Sequence, residues 1–371
     1  MPSAFSFPTT TLFAVGARRE LRGWLAKLGS QRPLVVTDAS LTKTNAFSLL
    51  SACLEGMDTA VFSEVRPNPE AADVEGAWHA YRENACDAVI AFGGGSALDV
   101  GKAVRVRIKR PDQTLAQFEY EADWSGLAPL IAIPTTAGTG SEVGRSAVII
   151  MEQRKRVLFH PALLASLVIL DPEFTRELPP KLTAATGADA LTHCIESFTS
   201  PVFHPLCEGI ALEGIHLIAG ALPRAVRDGG DLEARGLMQI AAAMGGIAFQ
   251  KDLGAAHSLA HPLSSLCGLH HGLANALCLP FVMDFNAARK PGVYRRIGIA
   301  LGLNDPTDAA AIANVRTLFA EIGLTPGLRV HGVDESKLDA LADQAFADSC
   351  HATNPVPVTR EDLRSLYKRA L

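Results

Sequence analysis

The pattern of apolar residues changes at Pro179-Pro180, and this change constrains the fold of the chain more than any other feature. Before it, short apolar runs alternate with segments of helical periodicity. After it, Ala-, Leu- and Ile-rich segments with a 3.6-residue period follow one another without a convincing strand. Strands that alternate with helices predict βαβ units and a mostly parallel sheet. We therefore expect an α/β domain in residues 1–181 and an all-helical domain in residues 182–371. The predicted strands are residues 33–38, 59–62, 87–92, 130–133 and 167–170, and the predicted helices are residues 71–85, 97–109, 182–198, 205–227, 231–249, 273–288 and the tail from residue 360.

The composition is that of a soluble globular chain, with 48% apolar and 20% charged residues. A formal net charge of -5 provides no basic stripe, so we expect neither a nucleic-acid nor a membrane partner. Glu213 and His216 interrupt the best apolar stretch, residues 210–222, before it reaches the roughly 18 residues of a bilayer crossing. The first residues lack the layout of a signal peptide, and the seven cysteines form no CxxC pair. These features predict a cytoplasmic protein without disulfides or a thiolate zinc site.

Two glycine-rich loops follow predicted strands. Residues 93–96 (Gly-Gly-Gly-Ser) come directly after one strand, and residues 134–142 follow the next. Glycines let the backbone approach a phosphate closely, and a helix that starts at such a loop offers free N–H groups to a pyrophosphate. Ser96 and Asp99 have the spacing of an N-cap with an acidic capping box. The spacing is not that of the GxGxxG fingerprint, so the alternative is that both loops are merely tight turns.

Asp38 ends an earlier predicted strand, at residues 33–38. A carboxylate at such a position can accept hydrogen bonds from the 2′-hydroxyl of an adenosine ribose, and it repels a 2′-phosphate. The sequence therefore indicates NAD as the cofactor in preference to NADP, with a plain turn aspartate as the alternative.

Histidines and one aspartate in the predicted helical domain have the spacing of metal ligands. Asp189 and His193 stand at i and i+4, as do His257 and His261, and residues 270–271 (His-His) follow. One carboxylate with three imidazoles suits iron(II) or zinc. The alternative is a set of hydrogen-bonded core histidines, and the role of the first of the paired histidines is ambiguous.

Four stretches match motifs of one known family: Gly93-Gly-Gly-Ser96 with Asp99 and Lys102, Pro134-Thr-Thr with Gly138-Thr-Gly-Ser-Glu142, Ala184-Ala-Thr-Gly with Asp189-Ala-Leu-Thr-His193, and His257 with His261-Pro, His271-Gly272 and Asn275-Ala276. Through them the chain resembles the iron-dependent (group III) alcohol dehydrogenase family over nearly its whole length. The resemblance implies a dehydroquinate synthase-like fold, an NAD-dependent dehydrogenase of small alcohols, a homodimer, and one divalent metal, with iron(II) favoured over zinc. It implies metal ligands at Asp189, His193, His257 and His271, and a proton relay at His261. The dinucleotide contacts it implies are Asp38, Gly94, Gly95, Ser96, Asp99, Thr135, Thr136 and Lys155.

Some residues depart from the usual family pattern. Residues 249–254, residues 269–270 and residues 350–355 look similar to the 4-hydroxybutyrate dehydrogenase branch. We therefore expect 4-hydroxybutyrate and succinic semialdehyde as the favoured pair of substrate and product. Their carboxylate needs a cation in the pocket. The candidates are Lys251, Arg145 and His351, and the alternative for each of the first two is a surface charge.

Three other functions have to be weighed against this prediction. Maleylacetate reductases share the outline of the family but usually have asparagine at the position of Asp189. A metal- and NAD-dependent cyclase of the dehydroquinate synthase kind would need a dense basic pocket, whereas the predicted metal region is largely apolar. A non-catalytic metal- or nucleotide-binding protein would have no need to keep every ligand type.

Overall fold

The computed structural model describes residues 9–117, 120, 123–152 and 154–371. These residues form two compact units. An α/β unit comprises Gly140–Leu178 and the described part of Phe7–Thr136, and a helical unit comprises Ala137–Thr139 and Pro179–Leu371. The predicted fold class, a parallel-sheet α/β part followed by an all-helical part, is confirmed.

A six-stranded parallel sheet is the centre of the α/β unit, in the order β1-β8-β5-β4-β2-β3. The strands β4 and β5 are fully buried. Their nearly continuous apolar sequences suit strands that are covered on both faces. A separate antiparallel hairpin contains β6 and β7. The strands are β1 Thr11–Phe13, β2 Pro33–Val36, β3 Ala60–Phe62, β4 Ala88–Gly93, β5 Leu130–Pro134, β6 Ser146–Met151, β7 Arg154–Phe159 and β8 Leu167–Leu170.

The carboxyl ends of three neighbouring strands bring three of the predicted cofactor residues to one edge of the sheet. Asp38 follows β2, Gly94 follows β4, and Thr135 follows β5. In the order β5-β4-β2 these strands are adjacent. Ligands of open parallel sheets bind at this edge.

Four helices belong to the α/β unit: α1 Leu21–Lys27, α2 Asn45–Cys53, α3 Ala71–Glu83 and α4 Gly95–Lys109. Helix α4 lies unusually close to the sheet at Gly101. A Cβ atom at this position would be only 2.5 Å from the Cβ of Ala91. Any larger residue at Gly101 would push α4 away from β4 and displace the glycine-rich loop at its start.

The sequence prediction missed several elements of the α/β unit. Strand β1 has only three residues, and β7 begins with the basic residues Arg154 to Arg156 and is exposed at five of its six positions. Neither gives the apolar run or the strict alternation on which strand prediction depends. Helices α1 and α2 were also not predicted.

The helical unit contains no strand between Pro179 and Leu371, a stretch that is described without a gap. Helix α5 is buried at sixteen positions and packs against α6, α7 and α9. Helices α8, α10, α11 and α12 were not predicted; α8 contains Pro262, and α10 has only six residues. The helices are α5 Pro180–Thr199, α6 Pro205–Arg227, α7 Leu232–Ala248, α8 Ala255–Cys267, α9 His271–Arg289, α10 Arg295–Ala300, α11 Asp308–Glu321, α12 Leu338–Ala347 and α13 Arg360–Ala370.

Among the described residues, α6 is the one helix whose length and apolar composition would suit a bilayer crossing. The sequence analysis did not predict this result, because it treated Glu213 and His216 as interruptions of the apolar stretch. The buried residues of α6 recur every three or four positions and form one face, and the helix packs with α5 and α7. This is the pattern of an amphipathic helix in a packed helical core.

Candidate metal centre and cofactor loops

Three helices of the helical unit carry the predicted metal ligands. Helix α5 carries Asp189 and His193, α8 carries His257, and α9 begins at His271. Because residues four apart lie on the same face of a helix, α5 presents its aspartate and histidine together. Helix α9 packs against both α5 and α8, and this packing brings the side chains to one place.

The ligand atoms of Asp189, His257 and His271 lie within 4.8 Å of one another. Asp189 Oδ1 is 3.4 Å from Nε2 of His271 and 3.9 Å from Nε2 of His257. The amide nitrogen of Asn275 donates to this carboxylate oxygen at 2.8 Å and is 3.2 and 3.3 Å from the two Nε2 atoms. Three lone-pair atoms thus converge on one point, which is the arrangement that a cation requires.

His193 joins this cluster through its ring, which stacks on the ring of His257 at a centroid distance of 4.6 Å. Its Nδ1 atom is buried and has no hydrogen-bond partner among the described residues. The Oδ1 atom of Asn275 is in the same condition. The group whose ligand atoms lie within 4.8 Å of one another does not include His193. Buried polar atoms normally find partners, so the two orphaned atoms, on residues that contact these ligands, fit a site for a divalent metal.

The electrostatics of the cluster favour a cation as well. Burial opposes the ionisation of Asp189, but the surrounding histidines and the Asn275 amide outweigh it and lower the pKa of Asp189 to about 2. Burial lowers the pKa of His257 and His271 well below the usual range of an imidazole. At neutral pH the site therefore contains a carboxylate and two neutral imidazoles, which are the protonation states that bind a metal.

Glu196 orients His257, and the sequence analysis did not assign it. Its carboxylate accepts from Nδ1 of His257 at 2.6 Å and from the backbone N–H groups of Gly254, Ala256 and His257. Nδ1 is thus occupied, and Nε2 remains as the lone-pair atom that faces Asp189. Burial raises the pKa of Glu196 to about 7, although the backbone hydrogen bonds oppose this rise. The signal was present in the sequence, since Glu196 is seven residues after Asp189 and shares its helix face.

Gly272 permits the approach of α9 to α5. A Cβ atom at this position would lie 2.0 Å from the carbonyl oxygen of Ala185 and 3.0 Å from Cβ of Asp189. The neighbouring His271 reaches the carboxylate of Asp189 because no side chain separates the two helices here.

The other histidines of the predicted site have different surroundings. His261 lies one turn after His257, and its Nδ1 atom is 2.8 Å from Oδ2 of Asp348. Its ring is nearly parallel to that of His271, at a centroid distance of 5.3 Å. His270 is exposed and precedes the first residue of α9, with its backbone oxygen accepting from Ala274. His271 therefore faces the carboxylate of Asp189, whereas His270 precedes the helix and is exposed to solvent.

Five of the predicted cofactor residues of the α/β unit lie in or next to two loops at the edge of the sheet: Gly94, Gly95, Ser96, Thr135 and Thr136. Gly94 caps α4, whose first turn contains Gly95 and Ser96, and the backbone N–H of Thr135 donates to the carbonyl of Gly93 at 3.0 Å. Thr136 follows Thr135 in the second loop. The N–H groups of the first turn of α4 have no partner within the helix and can bind an anion.

The predicted capping box at Ser96 is wrong. The N-cap is Gly94, and the hydroxyl of Ser96 donates to the carbonyl of Pro67 at 2.6 Å. The carboxylate of Asp99 accepts from the hydroxyl of Ser141 at 2.6 Å and from the N–H of Val148 at 3.0 Å. Asp99 therefore joins α4 to the second glycine-rich loop and to β6 instead of closing a helix cap, which the spacing alone could not distinguish.

A buried charged group lies beneath this loop. Lys102 is completely buried and donates to the hydroxyl of Ser141 and to the carbonyl of Ser146, each at 2.7 Å. Glu142 is 3% exposed, and burial raises its pKa to about 7, against the opposing effects of its own backbone N–H and Lys102.

Asp38 has one oxygen engaged in its own turn. Oδ1 accepts from the N–H groups of Ser40 and Leu41 at 2.9 and 3.0 Å and from the hydroxyl of Ser40. The side chain is half-buried. Asp38 can therefore both stabilise its own turn and contact a cofactor, since Oδ1 orders the loop and fixes the direction in which Oδ2 points. Lys155, the last predicted cofactor residue, lies exposed on β7.

The structure gives the three predicted substrate cations different surroundings. Lys251 is 1% exposed and forms an ion pair with Glu208 at 2.9 Å, so Glu208 neutralises its charge inside the helical unit. This contact spans 43 residues along the chain, and the sequence pattern did not reveal it. His351 stacks on Phe346, and its Nε2 is 3.0 Å from the carbonyl of that residue. The guanidinium of Arg145 lies over the ring of Phe159, 5.2 Å from its centroid.

Comparison with known proteins agrees with this geometry. A family model described as iron-containing alcohol dehydrogenase matches residues 8–172, and a model for the C-terminal part of the Fe-containing alcohol dehydrogenase family matches residues 183–371. The chain is 40% identical to a 4-hydroxybutyrate dehydrogenase of Cupriavidus necator over 96% of both chains. A crystal structure of a 1,3-propanediol oxidoreductase is similar, with a TM-score of 0.95, 32% identity and complete coverage of both chains. A sulfoacetaldehyde reductase from Bifidobacterium kashiwanohense, solved with NAD+, has a TM-score of 0.92 and 29% identity, covering 100% of this chain and 99% of that one.

Proposed function

Because the chain belongs to the iron-containing alcohol dehydrogenase family, we propose that it is an NAD-dependent enzyme that interconverts a small primary alcohol and its aldehyde. The observation that carries the proposal is the convergence of Asp189, His257 and His271, with the ring of His193 alongside. A divalent metal explains this arrangement, because it binds a carboxylate and imidazoles at one point.

We assign Asp189, His193, His257 and His271 as the ligands of one metal, with iron(II) favoured and zinc able to use the same donors. When bound, such a metal supplies Lewis-acid polarisation of the substrate oxygen, and the dinucleotide exchanges the hydride. The protein contributes the placement of the ligands. By accepting from Nδ1 of His257, Glu196 directs the Nε2 atom of that ring toward the other ligands. A hydrogen bond to the second nitrogen of a ligand histidine tunes metal affinity.

The cofactor assigned to the α/β unit is NAD. The N–H groups at the start of α4, contributed by Gly95 and Ser96, suit a pyrophosphate, and Asp38 suits a ribose with a free 2′-hydroxyl. Gly94, Asp99, Thr135, Thr136 and Lys155 complete the assigned contacts. A structural neighbour with bound NAD+ supports this choice.

His261 is assigned as the group that takes the substrate proton during alcohol oxidation. Its side chain is 36% exposed, so its ring can exchange a proton with water, and it stacks on His271. A neutral imidazole suits this role because its unprotonated ring nitrogen can accept a proton.

The favoured substrate is 4-hydroxybutyrate, with succinic semialdehyde as the product. The support is the identity of 40% to a 4-hydroxybutyrate dehydrogenase. Since Lys251 is paired with Glu208, the cation assigned to the substrate carboxylate is Arg145, with His351 as the second candidate. The homodimer and the cytoplasmic location stay predictions.

The test compares 4-hydroxybutyrate with butan-1-ol, using NAD and the iron-loaded enzyme. A charge-assisted contact contributes roughly 1.5–3 kcal/mol, so kcat/KM should favour the hydroxy acid by about tenfold or more. Arg145→Ala should abolish that preference and spare butan-1-ol. Arg82→Ala is the matched control, because Arg82 also lies over an aromatic ring, 5.0 Å from the centroid of Trp78.

Each outcome separates the alternatives. If butan-1-ol is the better substrate, a simple primary-alcohol dehydrogenase remains and the carboxylate pocket is excluded. If no NADH accumulates with either alcohol, the chain is not a dehydrogenase of these two substrates.

A further inference from the structure

The carboxylate of Asp348 is bonded to the histidine that we assign as the proton relay. Oδ2 of Asp348 is 2.8 Å from Nδ1 of His261. This histidine follows the metal-ligand candidate His257 by one helical turn on α8, whereas Asp348 comes directly after α12, 87 residues further along the chain.

Asp348 is itself held in place by other contacts. Its Oδ1 accepts from the hydroxyl of Ser258 at 2.8 Å and from the N–H of Cys350 at 2.9 Å. The hydroxyl of Ser258 in turn accepts from the N–H of His351 at 2.8 Å. These bonds fix one oxygen, so the other oxygen is aimed at His261. Burial opposes ionisation, but the hydrogen bonds outweigh it and hold the pKa of Asp348 well below its usual value, so the group is a carboxylate.

We propose that Asp348 is a positioning residue for His261, which fixes the tautomer with a proton on Nδ1 and leaves Nε2 as the proton acceptor. A carboxylate that accepts from one imidazole nitrogen determines which nitrogen reacts, and it stabilises the imidazolium that forms. The near-parallel stacking on His271, with an angle of 13° between the ring planes, holds the ring in one orientation.

The proton balance is simple and rests on the proposed function. During oxidation the O–H bond of the substrate breaks, and its proton forms a bond with Nε2 of His261. That proton then passes to water. The O–H bonding pair becomes the second C–O bond of the aldehyde, and the C–H bond of the same carbon breaks, its hydrogen leaving with both electrons as the hydride that the dinucleotide would accept. The bond from Nδ1 to Asp348 is kept throughout. Reduction of the aldehyde is the reverse.

The decisive experiment is a double-mutant cycle on the iron-loaded enzyme with Asp348→Asn, His261→Ala and the double variant. Asp348→Asn should lower kcat by about tenfold to a hundredfold, with iron content and KM for NAD unchanged. In the His261→Ala background the same substitution should have no further effect, because the residue on which it acts is gone.

Asp334→Asn is the matched control. Asp334 also accepts from the N–H two residues ahead, that of Ser336, at 2.9 Å, so it has the same turn geometry without a histidine partner. This variant should keep full activity, which separates the loss of a turn from the loss of the His261 contact.

A second readout does not depend on turnover. Diethyl pyrocarbonate modifies the free nitrogen of exposed imidazoles, and peptide mass spectrometry measures the rate at His261. Asp348→Asn should slow this rate severalfold, whereas the rate at His331, whose Nε2 is 2.9 Å from the carbonyl of Thr325, should not change. If Asp348→Asn does not fold, Asp348→Glu replaces it in both measurements, since the longer chain moves the carboxylate away from Nδ1.

Two results would overturn the proposal: an equal loss of kcat from Asp348→Asn with and without His261, or an unchanged modification rate at His261. If the unmodified enzyme oxidises no alcohol, the proposed function fails, and the modification rate still decides whether Asp348 controls the reactivity of His261.

Discussion

Substitution of Gly272 by alanine should destroy the metal centre through one methyl group. The added Cβ would lie 2.0 Å from the carbonyl oxygen of Ala185, and real Cβ contacts essentially never fall below 3.0 Å. The obstacle is backbone of α5, which cannot rotate away, so α9 must move by at least about 1 Å, the difference between the two distances. Metal–ligand distances tolerate deviations of only about 0.2 Å. His271 should therefore no longer reach a metal that Asp189 also binds.

The effect on stability should be moderate. Overpacking of this kind costs about 1–3 kcal/mol in the free energy of unfolding. An alanine in a helix is otherwise favoured over glycine by about 1 kcal/mol. Gly220→Ala in α6 is the matched control, since its Cβ would meet no atom within 4 Å. That variant should be neutral or slightly more stable, and it should keep its metal.

The assay has two parts. Iron content is measured by mass spectrometry after anaerobic loading and dialysis, and the free energy of unfolding is measured in urea with excess chelator. Gly272→Ala should lose most of its iron while it stays folded. Iron binding equal to that of the unmodified chain would refute the argument that the approach of α9 to α5 builds the site.

Three further predictions concern single residues. His257→Ala should lose most bound metal and nearly all activity and still fold, whereas His270→Ala should keep its metal; equal metal content in both variants would contradict the ligand assignment. The unmodified enzyme should prefer NAD to NADP by at least about tenfold, or ~1.4 kcal/mol, and Asp38→Gly should narrow the ratio of the two kcat/KM values. Because the pKa of Glu142 is raised to about 7 in the folded chain, the folded state retains a proton that the unfolded state loses near pH 4.5. The free energy of unfolding should therefore fall as pH rises from about 4.5 to about 7, and Glu142→Gln should flatten this dependence in urea titrations at pH 5 and pH 8.

Much of the fold was accessible from the sequence because local periodicity determines it. The buried strands β4 and β5 are apolar runs of five or six residues, and α5, α6, α7 and α9 have a clear helical period. The pairs at i and i+4, Asp189 with His193 and His257 with His261, were also readable from their spacing, although helix α8, which carries the second pair, was not predicted. What such patterns miss are short or charged elements such as β1 and β7.

Only the tertiary structure decided which partners these residues have. Glu196 orients His257 across 61 residues, and Asp348 meets His261 across 87. The pairing of Lys251 with Glu208 spans 43 residues. Residue types and local spacing place a side chain on a helix face, but the packing of one helix against another sets which side chains meet. A hydrogen bond or ion pair forms only within about 3–4 Å, and that distance is fixed by the packed helices and not by the order of residues in the chain.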